Sequence, residues 1–277
     1  MSQSTFETAC AVVIVVTLLA MTRTRGAKAL LVDYVVLAAA GWVGEQSCIQ
    51  WYRFYAYAPQ WSIFVGSVPL LVPLIWPLVI LSARDIVSSL WPSAGRLAPL
   101  IAGTVVAFDA SLVEVVAVRA GLWGWAEPGY LGVPVIGILG WGYFAIGASA
   151  ALDQKTPWKH ALVMVLGPLT AHALILATWW GLFRWTLRGD LGNASVAAMA
   201  VVGAGAALAV RSARRAGHVV PMSVAGPRSS AALLFLVLFA LHAMSDLRVW
   251  IHLVAVSVPQ VLSWASLPGQ RVRQGAR

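Results

Sequence analysis

Five acids and two histidines lie in stretches that are otherwise apolar: Asp33, Glu45, Asp109, Glu114, Asp246, His172 and His242. An ionisable side chain inside hydrocarbon costs several kcal/mol, so each is by default a candidate functional group. A carboxyl removed from water tends to keep its proton and can then donate it. A second carboxylate, or the faces of aromatic rings, can stabilise the cation that protonation creates. That combination suits protonation of an electron-rich alkene, such as a terpenoid double bond, followed by water capture, cyclisation or isomerisation. Other chemistries lack their residues. There is no histidine box for a di-iron centre, and no glycine-rich dinucleotide loop ahead of a helix. Neither a Ser–His–Asp arrangement nor an aspartate-rich motif for magnesium diphosphate stands out. The reading therefore requires no metal and no organic cofactor.

The elements that position these groups follow from composition. Of 277 residues, 60% are hydrophobic and 10% charged, and the mean hydropathy is +0.81. A soluble domain carries about 25% charged residues. The apolar runs are long and continuous rather than alternating, which favours helices over a barrel. The expected fold is all-α, a polytopic transmembrane bundle forming a single integral membrane domain over residues 1–277. About eight spans are expected, near 8–22, 28–46, 62–82, 97–119, 131–152, 158–182, 193–210 and 229–248. A ninth segment, 250–266, contains Pro259 and Gln260 and is left open as a span, a re-entrant piece or an interfacial helix. Cys10 and Cys48 read as packing residues, not a disulfide framework.

Basic residues set an expected orientation. The odd connections hold Arg23, Arg25, Lys28, Arg84, Arg96, Lys155, Lys159, Arg211, Arg214, Arg215 and Arg228, against Arg53, Arg119, Arg184 and Arg188 in the even ones. This bias puts the odd loops in the cytoplasm and the N-terminus outside, with a bacterial inner membrane as the expected location. It also accounts for the net charge of +9 without invoking nucleic acid. The tail, with Arg271, Arg273 and Arg277, is cytoplasmic only if the ninth segment crosses.

On that topology Asp109 falls near the middle of its span. Glu45, Glu114, His172, His242 and Asp246 fall in the middle or outer half, so all six are expected to converge on one outer cavity. His242 and Asp246, four apart, are expected on one helix face. Structural pairings compete: Asp33 with Lys28, Asp246 with Arg248 or His242, and Glu114 with Arg119. Asp109 has no basic neighbour in sequence. The even connections are rich in aromatics: Trp51, Tyr52, Phe54, Tyr55, Tyr57 and Trp61, then Trp123, Trp125 and Tyr130, then Trp179, Trp180 and Trp185. They read either as an interfacial belt or as the lining of an apolar or cationic ligand site.

The stretch 109–141 is the most specific. It runs Asp109-Ala110-Ser111-Leu112-Val113-Glu114, Gly121-Leu122-Trp123-Gly124-Trp125, Gly129-Tyr130-Leu131-Gly132-Val133-Pro134 and Gly140-Trp141. It resembles the membrane carotenoid 1,2-hydratases of the bisanhydrobacterioruberin hydratase type. In that family an acid in a span is followed about five residues on by a second acid, a Gly-x-Trp-x-Trp turn, a Gly-Tyr-Phe-Gly-Val-Pro segment and a Gly-Trp pair. Glu45, the aromatic run to Tyr57, Val68-Pro69, Val72-Pro73 and Trp76 fit more loosely, so the likeness covers about residues 40–155. Two positions depart from it. Ile136-Gly137-Ile138 stands where the family has an asparagine, and Val115 stands where proline is common.

The resemblance implies a lipophilic isoprenoid or polyene substrate that reaches the protein sideways from membrane lipid. Asp109 or Glu45 would be the general acid, and Glu114 the base or cation stabiliser. Trp123, Trp125 and Trp141 would shape an apolar tunnel, with Tyr130 hydrogen-bonded to an intermediate. Trp51, Tyr55, His172, His242 and Asp246 complete the expected substrate-contacting set. The departures keep cyclisation and isomerisation beside hydration. Intramembrane acids also serve proton relays. A proton-coupled transporter of a small or apolar molecule is therefore the alternative, with Pro69, Pro73, Pro77, Pro134 and Pro168 as possible helix breaks. A purely structural partner would explain the hydrophobicity but not the acids. Oligomeric state is not set by the sequence.

Overall fold

The computed structural model describes residues 2–127, 129–187 and 192–264. Among them, nine helices are long and apolar enough to cross a membrane, and the protein is an integral membrane protein built as an all-α bundle. Arg188, Arg271, Arg273, Arg277 and the end of the 250–266 segment lie outside the described residues.

Helix α1 spans Gln3–Arg25, with the Ser2 hydroxyl accepting from the Thr5 amide at its N-terminus. Gly26, at φ 74°, ends α1 and starts α2 (Ala27–Tyr52), a positive φ that glycine adopts at little cost. The connection to α3 holds strand β1 (Tyr55–Tyr57) and one short antiparallel hairpin, β2 (Phe64–Val65) against β3 (Val68–Pro69). Helix α2 holds this hairpin. Trp42 donates to the Val65 carbonyl at 2.9 Å, and the Gln46 side chain accepts from the Ser67 amide at 2.8 Å.

Helix α3 is Leu71–Leu90, α4 is Ala98–Arg119, and β4 is Trp123–Trp125. Helix α5 (Val135–Leu152) follows a tight turn in which Leu131 and Gly132 have φ of 53° and 91°. Both central residues lie in the left-handed region, as a type I′ turn requires. Gly129 has no alternative there, because a Cβ would stand 2.3 Å from the Val133 carbonyl. Helix α6 (Lys159–Ile175) continues through a π-helical stretch, Leu176–Phe183, into the single turn α7 (Arg184–Thr186). Helices α8 (Asn193–Arg215), α9 (Met222–His242) and α10 (Leu247–Trp264) complete the described bundle.

The central helices approach through small residues, as expected where lipid offers no hydrophobic drive and close packing must hold helices together. A Cβ on Gly147 of α5 would stand 2.1 Å from the Leu166 carbonyl of α6, and one on Gly142 would stand 2.8 Å from the Gly103 carbonyl of α4. Exposed Val and Leu cover the outer faces of α1, α2, α8 and α9, which suits a lipid surround.

Several boundaries differ from the sequence reading. The span placed at 62–82 begins at Leu71, because the apolar residues before it form the hairpin. The span placed at 229–248 is Met222–His242, so Arg228 sits inside a helix rather than in a loop. The segment 250–266, left open above, forms α10 and has the length and hydropathy of a span. Helix α9 ends at His242 and a turn precedes α10. His242 and Asp246 therefore do not share a helix face.

Candidate active site

Glu45 on α2 and Glu114 on α4 line one cavity of about 60 Å³. Both are nearly sealed, at 8% and 2% exposure. Each carboxylate accepts three hydrogen bonds from aromatic side chains. The Tyr55 hydroxyl, the Tyr57 hydroxyl at 3.1 Å and the Trp76 indole at 3.2 Å donate to Glu45. The Trp123, Trp125 and Trp141 indoles donate to Glu114 at 2.8, 3.1 and 2.9 Å.

A two-stranded ribbon supplies four of these six donors. Strands β1 and β4 pair antiparallel, with Tyr55 opposite Trp125 and Tyr57 opposite Trp123. Alternate residues of a strand share a face. Tyr-Ala-Tyr and Trp-Gly-Trp therefore each aim two rings at the carboxylates and leave Ala56 and Gly124 outside. The rings contact across the ribbon, with centroids 4.8 Å apart for Tyr55–Trp125 and 5.8 Å for Tyr57–Trp123. Main-chain bonds fix the ribbon at both ends, from the Ala126 amide to the Phe54 carbonyl at 2.7 Å and from the Ala58 amide to the Leu122 carbonyl at 3.0 Å.

The two cages differ chemically. An indole N–H donates only, whereas a tyrosine hydroxyl donates or accepts. Glu114, among three indoles, meets only donors. Glu45, with two hydroxyls, has partners that accommodate it with or without a proton.

A larger cavity of about 150 Å³ adjoins the first and shares Tyr57, Trp76, Trp123 and Trp141 with it. Its remaining walls are mostly apolar side chains of α1, α3, α4 and α9. Asp109 lines this second cavity, not the first. Its Oδ1 is ion-paired with Arg228 of α9, a partner 119 residues away that the sequence reading assigned to a loop.

The remaining expected residues are dispersed. His172 is held on both ring nitrogens, by Ser47 at 2.8 Å and Tyr52 at 2.9 Å. Trp51 is 68% exposed, packs tilted against His172 with ring centroids 4.8 Å apart, and lines neither cavity. His242 is exposed at the end of α9. Asp246 lies in the turn before α10 and pairs with Arg119 at 2.9 Å, so neither Arg119–Glu114 nor His242–Asp246 is a pair. The Arg248 amide does bond Asp246, at 3.0 Å. Partial burial alone would raise the Asp246 carboxyl, but the Arg119 bond and the Arg248 amide outweigh it and hold it below its ordinary value. Asp33 pairs with His160 at 2.8 Å and Lys159 at 3.7 Å, not with Lys28.

The Tyr130 hydroxyl meets His252 Nδ1 at 3.0 Å, while His252 Nε2 donates to the Ser111 carbonyl at 2.8 Å. Tyr130 thus staples the β4–α5 loop to α10 and lines neither cavity. His252, fully buried, was missed because the segment holding it had no settled structure. Tyr57 and Trp76 were missed as ligands of Glu45, although their place in an aromatic run beside a buried acid was a usable signal.

Gly137, where the carotenoid hydratases have an asparagine nearby, lies under Trp125. A Cβ there would stand 2.5 Å from the indole. Among the described residues no three His, Cys, Asp or Glu side chains are grouped to hold a metal ion. No family model, curated protein or solved structure matches the chain.

Proposed function

We propose that this protein is a membrane enzyme that protonates an alkene of an isoprenoid or carotenoid substrate, with Glu45 as the acid and Glu114 as the carboxylate that stabilises the resulting cation. The observation that carries the reading is the pair of buried carboxylates on one cavity, each held by three aromatic donors. Glu45 transfers its proton to one alkene carbon, and the π pair forms the new C–H bond. The positive charge left on the neighbouring carbon faces Glu114 and the indole rings. Three outcomes balance from there. Water adds and gives up a proton to the Glu45 carboxylate (hydration), an adjacent C–H loses its proton to Glu114 (isomerisation), or a second double bond attacks the cation and the new cation then loses a proton to Glu114 (cyclisation).

The adjoining apolar cavity gives the rest of the chain a place outside water, and lipid is the phase in which such a substrate is dissolved. Asp109, ion-paired with Arg228, has a partner that favours its charged form and is assigned no proton transfer. The resemblance of 109–141 to carotenoid hydratases supports the same substrate class. We also place the N-terminus outside a bacterial inner membrane, on the bias of basic residues in the connections.

The test is expression in a bacterium that accumulates lycopene and related polyenes, with mass spectrometry of the extracted lipids. A product heavier by one water marks hydration. Unchanged mass with a shifted retention time marks cyclisation or isomerisation. Full turnover by both Glu45→Gln and Glu114→Gln sinks the proposal. Proton-coupled flux in vesicles without any product favours a transporter.

A further inference from the structure

The two cavities differ in charge. The larger is an apolar slot, walled mostly by α1, α3, α4 and α9, whose charged lining groups Asp109 and Arg228 are paired with each other. The smaller is lined by two acids, Glu45 and Glu114, and among its described lining residues there is no Lys, Arg or His. Eight of its eighteen lining residues are aromatic. Rings and acids form a closed circuit. Trp76, bonded to Glu45, packs against Trp141, bonded to Glu114, with centroids 4.8 Å apart. On the other side Tyr57, bonded to Glu45, meets Trp123, bonded to Glu114, at 5.8 Å.

That wall narrows what can bind. Six ring N–H and O–H groups already donate to the carboxyls. The one side-chain donor left among the described lining residues is the Cys48 thiol, a weak one. An anion would meet two acids, and a carbonyl would find no strong donor to replace water. Acceptors are crowded too, since each glutamate Oε2 receives two bonds. A primary ammonium, with three N–H groups to satisfy, would lose its water without replacing it. A quaternary ammonium has no N–H to satisfy. It acts through its field and through ring faces, so it does not have to reach oxygens that their donors cover. It also supplies the counter-charge that two buried acids without a base lack.

Space agrees with that class. One water needs about 10–15 Å³, so the cavity of 60 Å³ takes about four to six heavy atoms. A trimethylammonium head, a nitrogen and three methyls, fits. A triethylammonium head, with three further carbons, does not. Gly140 keeps this space open. Three other wall glycines serve packing, because a Cβ on Gly41, Gly44 or Gly137 would stand 2.8, 3.3 or 2.5 Å from the ring of Trp76, Phe144 or Trp125. A Cβ on Gly140 would meet only Ile175 within 4 Å, at an ordinary contact distance of 3.9 Å.

We infer that the cavity of the two glutamates binds a trimethylammonium group, held by the field of the acids and by the ring faces between them. The inference rests on the charge-stabilising role proposed for that site and names a stable ligand for it. A choline lipid is the wrong source, because its phosphate would be carried in beside the same acids. A simple alkyl ammonium brings no anion.

Binding decides this without turnover. The full chain, in nanodiscs of phosphatidylethanolamine and phosphatidylglycerol, is titrated with hexyltrimethylammonium carrying carbon-13 methyls, and empty nanodiscs give the partition background. Ring currents move the N-methyl resonance upfield when ring faces surround it, which partition into the bilayer does not do. Saturable binding with an upfield shift is expected, about tenfold or more tighter than for hexyltriethylammonium. Phosphatidylcholine added to the nanodiscs is expected not to compete. Glu114→Gln removes a charge and is expected to weaken binding about tenfold or more. If that variant does not fold, Gly140→Ala serves, because its methyl fills part of the cavity without a clash; it is expected to weaken binding of the trimethyl head while the unfolding midpoint holds. No upfield shift, equal binding of the two heads, competition by the choline lipid, or full binding by the variants overturns the inference. If the ammonium binds as expected and no polyene is turned over, the cation site stands and the catalytic proposal falls. If turnover depends on both glutamates but the ammonium does not bind, only the cation site falls.

Discussion

Glu45→Gln and Glu114→Gln change the same atom in two equally buried cages, and the cages predict unequal costs. Around Glu114 three indole N–H groups converge on two oxygens. Glutamine offers one oxygen with two lone pairs, so at least one indole loses its acceptor. The new amide NH2 also faces donors that cannot turn round. Each buried group left unpaired costs about 1–3 kcal/mol. Around Glu45 the amide nitrogen can replace Oε2, which Tyr55 and Tyr57 address. Their hydroxyls rotate and accept, while Trp76 keeps its bond to the remaining oxygen. The net loss there is that of weakened charge assistance, about 1 kcal/mol. Thermal unfolding of both variants in one detergent or nanodisc preparation reads the difference. Glu114→Gln is expected to unfold several degrees below Glu45→Gln. Turnover, by contrast, is expected to fall in both, by roughly 10² or more where a preorganised electrostatic group is removed. Equal midpoints, or a lower one for Glu45→Gln, would refute the argument that donor type distinguishes the cages.

Three further outcomes follow from particular contacts. Gly137→Ala is expected to displace Trp125, whose ring lies 2.5 Å from the new methyl position. It should cost about 1–3 kcal/mol and lower turnover, read by unfolding and product yield; unchanged values in both would show that Trp125 has room to spare. Tyr130→Phe removes the bond to His252 and is expected to cost about 1 kcal/mol while leaving turnover within about twofold, so a large loss of product would put Tyr130 back in the site. Asp246 is held below its ordinary value, so its pairing with Arg119 stabilises the fold above the unfolded carboxyl value of about 3.9 and is lost as pH falls through the lower folded one. The gap between wild type and Asp246→Asn in an unfolding series should be present near neutrality and vanish in acid. A gap that is constant with pH contradicts it.

What was legible in the sequence tracks separation along the chain. Glu114 meets Trp123, Trp125 and Trp141 within 27 residues, and all belong to the one stretch whose motifs are specific. The acids themselves stood out because nothing else polar surrounds them. Asp109–Arg228 and Tyr130–His252 are separated by 119 and 122 residues, and only the packing of α9 and α10 brings them together. Hydropathy also misplaced α9. Arg228 looked like a loop charge because its counter-charge belongs to another helix, and the span was shifted to exclude it. Residues 53–70 were split for the opposite reason. Phe64 and Val65 are apolar enough to extend a span, but their main chain pairs in the hairpin. The small residues that let α4, α5 and α6 touch carry no hydropathy signal at all, and their role appears only in what a Cβ would strike.

The β1–β4 ribbon has a consequence for how this protein could diverge. The membrane helices contribute the two carboxylates and the apolar slot, and those positions are fixed by contacts on every side. The ribbon contributes four of the six donors from two three-residue strands in connecting loops, where substitution is tolerated far better than in packed helices. Exchanging one ring there changes the hydrogen bonding of a buried acid without disturbing a single helix crossing. Under the proposed chemistry, one scaffold would yield hydratases, cyclases or isomerases through a handful of loop substitutions, and chains with the same helices and acids but different ribbons would make different products.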